Sequence, residues 1–596
     1  MTGSWQNLTH QPSFNAGTML LMTDGSVLCH DEPNGGGVSG SRHWWKLVPD
    51  SAGNYQAGGW TQLADGPNSP LYFACSVLRD GRVFVAGGEY NGSSAQVELL
   101  AAELYNPVGN SWASIGTPAG WTHIGDAPSA VLPDGRVLLG DIYGNRTALY
   151  DPAANTWTAG PTKDDTRCTE ETWVLLPDQT VLAIECDRRP RTEKYVMAAN
   201  TWVSCGNTPV TLVDAASDEV GSALALPDGR VFCIGATNHT ALYTPPVIAN
   251  QPGSWAAGPD FPVITAGHVT GAKDAPACLM PNGRVLCIVA PYDPNASQSS
   301  NNAWGFPLYV FEYDPAANTL TQAPSPPNGS GTPYSSRLML LPTGQVLHTN
   351  GSNSVAIYTP DGAPDPVWKP SITSAPTALH PGGTYTLHGR QINGLSQAVI
   401  YGDEGAMATN YPIVRLINTS TGHVVYCRTH DHSTMGIQTG TVIHHTSFTV
   451  PANAALGSYR LCVIANGISS DCVGVAVTHK IWKELKWEIK EVKEVKEVKE
   501  HLKIETDGLK LVFEDLRKAS EGDWREQLGD QGWGEVIRQL ATRSDQVEGE
   551  LRAFIQGKER PEVGIVAMPK PEKEPETRPP YDEDDRKTGE QHGERK

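Results

Sequence analysis

The stretch LPDGRVLLG, residues 132–140, decides the fold because it recurs throughout the first two-thirds of the chain. In each copy an apolar run leads into a two-residue turn of the Asp-Gly or Asn-Gly type, and a second run rich in Val, Leu and Phe follows. This pattern predicts a β-hairpin, since such turns supply positive φ angles and the flanking residues favour strands. The other copies are MTDGSVLCH (22–30), LRDGRVFVAGG (78–88), LPDQTVLAI (176–184), LPDGRVFCIG (226–235), MPNGRVLCIV (280–289) and LPTGQVLHTNG (341–351).

The hairpins return about every fifty residues, a period typical of kelch-type propeller blades. Seven copies therefore predict a seven-bladed β-propeller over residues 1–370. Six of the hairpins lead to a strand ending in Tyr, and the first five outer strands carry Trp, with Leu320 in the sixth. We expect these rings to pack between neighbouring blades. The seventh repeat has no clear outer strand, but the opening GSWQNL resembles one. We therefore expect Trp5 and its neighbours to complete that blade and close the ring.

Beyond residue 370 the pattern changes twice. Short alternating strands separated by turn residues over 371–478 predict an immunoglobulin-like β-sandwich, so the fold class is mainly β. After His479 nearly half of the residues are charged, and apolar residues recur every three or four positions through KEVKEVKEVKE. This spacing predicts an α-helical, coiled-coil-like region over 479–556 that would join copies into a homo-oligomer. Residues 557–596 lack periodicity and are predicted to be a disordered charged tail.

Charge and hydropathy exclude several partners. The formal net charge is −20, which disfavours nucleic acid and anionic membrane surfaces. No apolar run is long enough to cross a bilayer, and the opening MTGSWQNLTHQ shows no secretory signal. We expect a soluble protein that is either cytoplasmic or exported by a non-classical route.

The chain has 11 cysteines, and most of them fall within strand patterns, where free thiols pack as small apolar residues. Buried thiols are therefore expected. One or two disulfides remain open, either between Cys462 and Cys472 or among Cys168, Cys186 and Cys205.

Acidic residues stand just before several of the hairpins, where the inner strands of a propeller begin near its axis. Carboxylates from four blades would form a negative well suited to a Ca²⁺ ion or to the hydroxyl groups of a sugar. In the alternative reading these acids cap strands and accept hydrogen bonds from loop amides. The candidate ligand-binding residues of this group are Asp126, Glu170, Glu171, Glu219 and Asp274, with His123 nearby.

A second candidate is the histidine-rich segment GHVVYCRTHDHSTMG of the predicted sandwich. His430 and His432 alternate with Asp431, so on a strand they would share one face and could bind a metal ion. The alternative is that these histidines are exposed or line the core without binding anything.

A kelch propeller followed directly by a small β-sandwich resembles the galactose oxidase family of copper radical oxidases. The resemblance covers about residues 1–478, including GSWQNL, the LPDGRV hairpins and the segment QAVIYG. It implies an early-set immunoglobulin-like domain and a copper site. That site would use a cysteine bonded to a tyrosine, a second tyrosine followed by a histidine, and a histidine from the sandwich.

The corresponding positions of this chain do not retain that copper site. Phe73 stands at the cysteine position, with Cys75 two residues later, and Asp126 stands at the position of its tyrosine partner. Tyr334 is kept but is followed by Ser335, and no histidine follows QAVIYG near Ala406 and Met407. Because the radical cofactor needs the cross-link and copper needs nitrogen donors, we expect no cofactor and disfavour copper.

The sequence therefore favours a non-catalytic, multimeric binding or adhesion module that recognises a glycan or a protein through the axial face, with Tyr334 among the candidate contacts. Two alternatives stay open. One is a copper radical oxidase-like enzyme that acts on alcohols, aldehydes or sugars. The other is a structural component of a larger assembly, attached by its helical tail.

Overall fold

The computed structural model describes residues 2–297, 303–397 and 410–479, together with two backbone strands between the last two ranges, Val399–Tyr401 and Glu404–Ala406. Apart from His479, the predicted helical region 479–556 and the predicted charged tail 557–596 lie outside the described residues. Both therefore stay predictions.

Seven four-stranded antiparallel blades follow one another around an axis, as the repeats predict. The innermost strands are Ala16–Leu21, Ala74–Val77, Ser129–Val131, Thr172–Leu175, Ala223–Ala225, Ala277–Leu279 and Arg337–Leu340. The second strands are Val27–Asp31, Val83–Ala86, Val137–Gly140, Thr180–Ile184, Val231–Ile234, Val285–Tyr292 and Val346–Thr349. Every residue of the innermost strands is buried, because each lies between the axis and the next strand of its own blade.

The outer half of each blade carries the Tyr and Trp strands. The third strands are Trp44–Val48, Ala102–Asn106, Thr147–Asp151, Arg191–Val196, Thr240–Thr244, Tyr309–Asp314 and Ala356–Thr359. The outermost strands are Gly59–Gln62, Ser111–Ile115, Thr156–Ala159, Thr201–Asn207, Ser254–Ala257, Thr319–Ala323 and Ser4–Asn7. Short additional strands are Asn34–Gly35, Val38–Ser39, Pro70–Leu71, Tyr90–Asn91 and Val269–Gly271, and two 3-10 turns span Pro333–Ser335 and Pro366–Trp368.

The recurring hairpin turn has three residues rather than the predicted two. In blade three the amide of Gly135 donates to Leu132 O at 2.8 Å, and the amide of Leu132 donates to Arg136 O at 2.8 Å. Only the glycine needs positive φ, at 93°, which is the geometry of a type I turn followed by a left-handed residue. Asp134 explains the rest of the motif, because its carboxylate accepts from both the amide and the side chain of Arg136. Gln179 takes the same left-handed conformation in blade four, with φ of 69°.

Each Tyr–Trp pair stabilises its own blade first and the neighbouring blade second. Tyr150 stands directly opposite Trp157 on the paired strand, with ring centroids 5.0 Å apart. The indole N–H of Trp157 donates to Gly116 O of the preceding blade, and Trp112 likewise donates to Ala64 O at 3.0 Å. The predicted packing between blades is thus made partly by hydrogen bonds, which satisfy the indole donor of a half-buried ring.

The N-terminus closes the ring as predicted. Ser4–Asn7 pairs antiparallel with Ala356–Thr359, and this pairing places Trp5 opposite Tyr358. The indole N–H of Trp5 donates to Pro324 O of blade six at 2.7 Å. Blade seven is therefore assembled from both ends of the propeller, which leaves no unpaired blade edge at the junction.

Residues 371–479 form a further nine-stranded sheet. Residues from both halves of the sheet, such as Leu387, Phe448 and Leu461, pack in a single buried cluster, so the sheet encloses one core of its own. Its strands are Ser371–Ser374, Ala378–Leu379, Thr384–Arg390, Ile413–Asn418, Val424–His430, Ile443–Thr449, Gly457–Ala465, Ile468–Ser469 and Val473–Val477.

This sheet packs against the end of the propeller that carries the hairpin turns. The amide of Met435 donates to Pro133 O at 2.9 Å, and the side chain of Gln438 donates to Leu226 O at 2.7 Å. The strands Val399–Tyr401 and Glu404–Ala406 pair with each other as a hairpin that extends from this sheet into the propeller. The first of them also pairs with the innermost strand of blade four, at Thr172 and Trp173. The axial channel therefore contains backbone from this hairpin, which reaches the level of Thr172, the first residue of the innermost strand of blade four.

One disulfide joins Cys462 and Cys472 within the domain formed by residues 371–479. The other nine cysteines are buried free thiols, including Cys168, Cys186 and Cys205 of blade four, so the expectation of mostly buried thiols is confirmed. Within the described residues, no helix is long and apolar enough to cross a membrane.

Candidate ligand-binding site at the propeller mouth

The propeller mouth is the end of the axis at which the innermost strands begin. The chain places Asp126, Glu170, Glu219 and Asp274 two to four residues before the innermost strands of blades three to six. Because every blade begins with its innermost strand, these positions meet at the same end of the axis. Four of the five predicted acidic residues therefore lie at the mouth.

The electrostatics show that these carboxylates act on one another. Burial raises the pKa of Glu170 well above its ordinary value, and the next contributions come from other acids, namely Glu219, Asp126, Asp274 and Glu89. Burial likewise raises the pKa of Asp126, followed by the charges of Glu89 and Glu98. Desolvation and like charges both disfavour ionised carboxylates. The mouth acids, Glu89, Glu98, Asp126, Glu170, Glu219 and Asp274, thus form one cluster.

Glu89 and Glu98 come from the long loop that follows the second strand of blade two, and the sequence interpretation missed them. Burial and the charge of Glu98 raise the pKa of Glu89 to about 7. Glu98 is 8% exposed, and its Oε1 accepts hydrogen bonds from Gln96 and from Tyr143, each at 2.7 Å. Second strands end on the same edge where innermost strands begin, because the two are antiparallel. That geometric rule was the available signal for these two residues.

The backbone at the mouth is strained at several side chains. Tyr72, Glu170, Asp218 and Asp274 have φ of 56°, 54°, 62° and 51° and stand before the innermost strands of blades two, four, five and six. Left-handed backbone costs about 1 kcal/mol or more for residues other than glycine, and such positions cluster at functional sites. The fold therefore carries both electrostatic and conformational cost at the mouth.

Aromatic rings line one side of the mouth acids. Tyr72 contacts Tyr90 and Tyr334, with ring centroids 6.1 and 6.3 Å apart, and Tyr334 contacts Trp304 at 5.2 Å. Tyr143 is 50% exposed and donates its hydroxyl to Glu98. The aromatic wall, Tyr72, Tyr90, Trp304 and Tyr334, gives the mouth flat apolar faces beside the carboxylates.

Two basic side chains near the mouth form ion pairs with carboxylates that are not mouth acids. Lys273 forms an ion pair with Asp214 at 2.9 Å, donates to Ala303 O at 3.1 Å and lies over the ring of Trp304 at 4.4 Å. Although burial alone would raise the pKa of Asp214, hydrogen bonds from Lys273 and Ser217 hold it below its ordinary value. Arg189 pairs with Asp218 at 2.8 Å.

Glu171 and His123 lie apart from the mouth acids. Glu171 is fully buried, where its carboxylate accepts from the ammonium of Lys163 and, at 2.8 Å, from the indole N–H of Trp173. His123 lies at the margin of the mouth, with its ring 4.8 Å from Tyr143 and its Nε2 3.1 Å from Asp141. Glu171 therefore has a partner within the fold. His123 contacts Tyr143 and Asp141 rather than the mouth acids.

A separate buried acid near the axis does have a cation. The guanidinium of Arg337 lies 3.7 Å from Glu32, which also accepts from the amide of Thr18 at 2.8 Å. Burial alone would raise the pKa of Glu32, but Arg337 and His30 lower it to about 2. Cys75 lies beside this pair, and burial followed by the charge of Glu32 raises the pKa of its thiol to about 12. A thiol in this state is inert near neutral pH.

The predicted pairing of His430 and His432 on one strand face is wrong. The strand Val424–His430 ends at the first histidine, and Asp431 takes a left-handed φ of 52°. His430 binds Asp431 and Thr449, whereas His432 is fully buried, bonds Thr446 at 2.9 Å and stacks on Tyr411. Burial lowers the pKa of His432 to about 3, so this ring is a neutral core residue.

The positions implied by the oxidase resemblance lie in different surroundings. Phe73 is buried against His30 and Trp44, Asp126 is a mouth acid, and Tyr334 belongs to the aromatic wall. Over the described ranges, no three His, Cys, Asp or Glu side chains are arranged to hold a metal ion.

The chain has limited similarity to known proteins. No family model matches the sequence. N-acetylneuraminate epimerase from Yersinia enterocolitica is 25% identical over 163 residues, which cover 20% of this chain and 41% of that protein. The chain thus spans less than half the length of this relative.

Two solved structures resemble the fold. A fungal alcohol oxidase in complex with copper has 15% identity and a TM-score of 0.46, covering 80% of this chain and 99% of its own. A virginiamycin B lyase from Staphylococcus aureus has 11% identity and a TM-score of 0.41, covering 60% of this chain and 99% of its own. The propeller assignment rests on the strand pairing described above and not on these two likenesses.

Proposed function

We propose that this protein is a non-catalytic binding module that recognises a glycan or a protein through the propeller mouth. The observation that carries the proposal is the convergence of the mouth acids beside the aromatic wall. Carboxylates accept hydrogen bonds from hydroxyl and ammonium groups, and aromatic faces pack against flat apolar surfaces. Concave sites that combine aromatic walls with a few polar groups are the usual form of small-ligand sites.

Of the two ligand classes, the mouth favours a glycan. Sugar rings offer an apolar face to stack on an aromatic wall and hydroxyl groups to bond carboxylates. A relative over 163 residues is named for N-acetylneuraminate, which is itself a sugar. That sugar carries a carboxylate, however, and the mouth acids would repel an anion. We therefore propose a glycan that is neutral or positively charged.

We keep two finer assignments as part of the proposal. The propeller is of the kelch type and galactose oxidase-like, and the sheet over 371–479 is its early-set immunoglobulin-like domain, as the resemblance implies. The region 479–556 joins several chains, so that weak binding at one mouth is strengthened by avidity. Sedimentation of the full chain and of a truncation at Thr478 tests the second assignment, and a monomer in both cases would refute it.

The binding proposal is tested with an immobilised glycan array and a protein-capture screen, using the full chain. We expect selective binding by the parent chain that is lost in Asp126→Asn and retained in the matched variant Asp260→Asn. Asp260 is 52% exposed, follows the outermost strand of blade five and pairs with His239 rather than with the mouth acids. Binding that survives Asp126→Asn unchanged would place the recognition surface elsewhere and overturn the proposal.

A copper radical oxidase is the competing function, because the resemblance to that family extends over both the propeller and the sheet at residues 371–479. It predicts stoichiometric copper uptake and peroxide formation with galactose, glyoxal or methylglyoxal under air. We expect neither at the implied ligand positions, since only Tyr334 of them is kept. Turnover after copper loading would refute the non-catalytic proposal.

A further inference from the structure

Two histidines on the outer face of the sheet that follows the propeller lie opposite each other. The strands Thr384–Arg390 and Ile443–Thr449 pair without interruption, and their register places His388 directly across from His445. Both histidine side chains are exposed, whereas the neighbouring Leu387 is buried. Because side chains alternate between the two faces of a strand, the paired histidines, His388 and His445, share the face that is turned to solvent.

The separation of the two rings matches that of imidazoles that share one metal ion. Their centroids are 5.5 Å apart, and their planes meet at 45°. A tetrahedral Zn²⁺ ion that lies about 2.0–2.1 Å from one nitrogen of each ring would hold the centroids about 5 Å apart. Rotation of either side chain about its own bonds covers the difference, so the backbone need not move.

The ring nitrogens of the paired histidines are available to a ligand. Within the described residues, neither ring exchanges a hydrogen bond with a protein group, and it is the backbone amide of His445 that donates to Ser433 Oγ, at 2.9 Å. His430 on the neighbouring strand differs, because its Nδ1 lies 2.7 Å from Asp431 and its Nε2 lies 3.1 Å from Thr449. The paired histidines therefore present nitrogen donors that no protein group occupies, whereas both nitrogens of His430 are engaged.

The surroundings of the paired histidines favour an open and weak site. Arg390 follows His388 by two residues on the same face of the strand, and its Nε donates to Thr441 O at 3.1 Å. Its positive charge opposes a second cation nearby. Among the residues that the structure describes, no third His, Cys, Asp or Glu side chain completes a metal site with the pair. Water molecules would fill the remaining positions, as one does in open zinc sites.

We propose that His388 and His445 form a surface binding site for a divalent transition-metal ion, with Zn²⁺ as the ion used to test it. Neutral imidazole is a preferred ligand of Zn²⁺ and of Cu²⁺. Two imidazoles held on adjacent strands bind one ion without first ordering the backbone, which lowers the entropic cost of binding. This site goes beyond the proposed function, because it lies outside the propeller and uses none of the mouth acids.

The test measures Zn²⁺ binding to the full chain by calorimetry at about pH 7.5, where imidazole is free to bind, after bound metal has been removed with a chelator. We expect His388→Gln and His445→Gln each to weaken the same single equivalent of Zn²⁺ by at least about tenfold. The double variant should lose no more than either single variant, because one histidine alone cannot chelate. Additive losses would show that the two rings bind separately and would overturn the inference.

His423→Gln is the matched control. His423 is also exposed and belongs to the same domain, but it lies in the turn before the strand Val424–His430 rather than opposite another strand residue. This variant should leave the titration unchanged. Without metal, His388→Gln should melt at the temperature of the parent chain, and Zn²⁺ should raise the melting temperature of the parent by more. Equal losses in His423→Gln and His388→Gln would reduce the binding to nonspecific uptake and overturn the inference.

Three further outcomes are decisive. A titration that is unchanged in both variants of the paired histidines would show that the two rings only pack against each other. A loss of Zn²⁺ in Asp126→Asn but not in His388→Gln would move the ion to the mouth, and either result overturns the inference. Copper that is taken up by the parent, is lost in His388→Gln and forms no peroxide would support the paired histidines over an oxidase site.

Discussion

Glu32 and the mouth acids are buried or half-buried carboxylates near the same axis, yet their surroundings shift their pKa values in opposite directions. Glu32 lies beside Arg337, and that guanidinium with His30 lowers the pKa of Glu32 to about 2 against the effect of burial. The groups that act most strongly on Glu89 include no arginine, lysine or histidine. Burial with the charge of Glu98 raises the pKa of Glu89 to about 7. One acid is built into the fold as half of an ion pair, and the other is held beside further acids.

Under the binding proposal, the difference separates structural acids from acids kept for a ligand. A buried ion pair contributes little net stability but is costly to break, because the remaining charge is left unpaired. A cluster of like charges lowers stability in the free protein and gains it back when a cation binds. Such a cost is retained where function requires it. Asp214 with Lys273 follows the first pattern. Glu171 is likewise paired with Lys163, although burial outweighs that lysine and raises the pKa of Glu171 to about 8. The mouth acids follow the second pattern.

The largest expected effect comes from breaking the structural pair. Arg337→Met should lower the free energy of unfolding by about 3–5 kcal/mol, because it leaves Glu32 buried without its cation. Urea denaturation measures this loss. The double variant Glu32→Gln/Arg337→Met should recover part of it, since no buried charge is then left. A loss below about 1 kcal/mol in the single variant would show that Arg337 does not stabilise Glu32.

The pH dependence of stability sharpens the comparison. Glu89 has an ordinary pKa of 4.5 and a folded pKa of about 7, so the folded state binds its proton more tightly than the unfolded state does. Its contribution to stability is therefore full below about pH 4.5 and is lost as pH rises through about 7. Glu32 has the opposite sign, with a contribution that is present above about pH 4.5 and is lost as pH falls toward about 2.

We expect Glu89 to contribute a fall of about 2 kcal/mol in the free energy of unfolding between about pH 5 and pH 7.5. This is less than the full linkage value for Glu89, because that side chain is half-buried and partly screened. Glu185 and Glu171, whose pKa values burial raises to about 8, add to the same slope and are not mouth acids. The informative quantity is thus the difference between the parent and Glu89→Gln, which should have a flatter profile. Parallel profiles would show that Glu89 titrates normally.

The sequence predicted the propeller well because the information is local and repeated. Seven turns with a glycine or Gln179 at positive φ, and the Tyr–Trp pairs of successive blades, define strand order without reference to distant contacts. The outer strand around Trp5 was found from its similarity to the other outer strands. The three-residue turn was misjudged, because the carboxylate of Asp134 and the side chain of Arg136 close it in a way that the dipeptide does not reveal.

The site was predicted less well because its residues come from unlike positions. Asp126, Glu170, Glu219 and Asp274 occupy equivalent places in their repeats and were found together. Glu89 and Glu98 belong to a loop that is special to blade two, and no repeat pattern marks them. Glu171 is adjacent to Glu170 in sequence but pairs with Lys163, because the left-handed φ of 54° at Glu170 sends the two side chains in different directions. The left-handed Asp431 likewise separated His430 from His432.

The central claim is that the mouth acids oppose folding in the unliganded protein, and Asp126→Asn tests it most directly. Asn keeps one side-chain oxygen and removes the ionisable group whose pKa burial, Glu89 and Glu98 raise, so no like charge can form at this position. The free energy of unfolding is measured in urea at neutral pH, with Asp260→Asn as the control that should change by less than about 0.5 kcal/mol. We predict that Asp126→Asn gains about 1 kcal/mol. A loss of stability would contradict the account, because it would show that Asp126 is a structural cap rather than an acid held for a ligand.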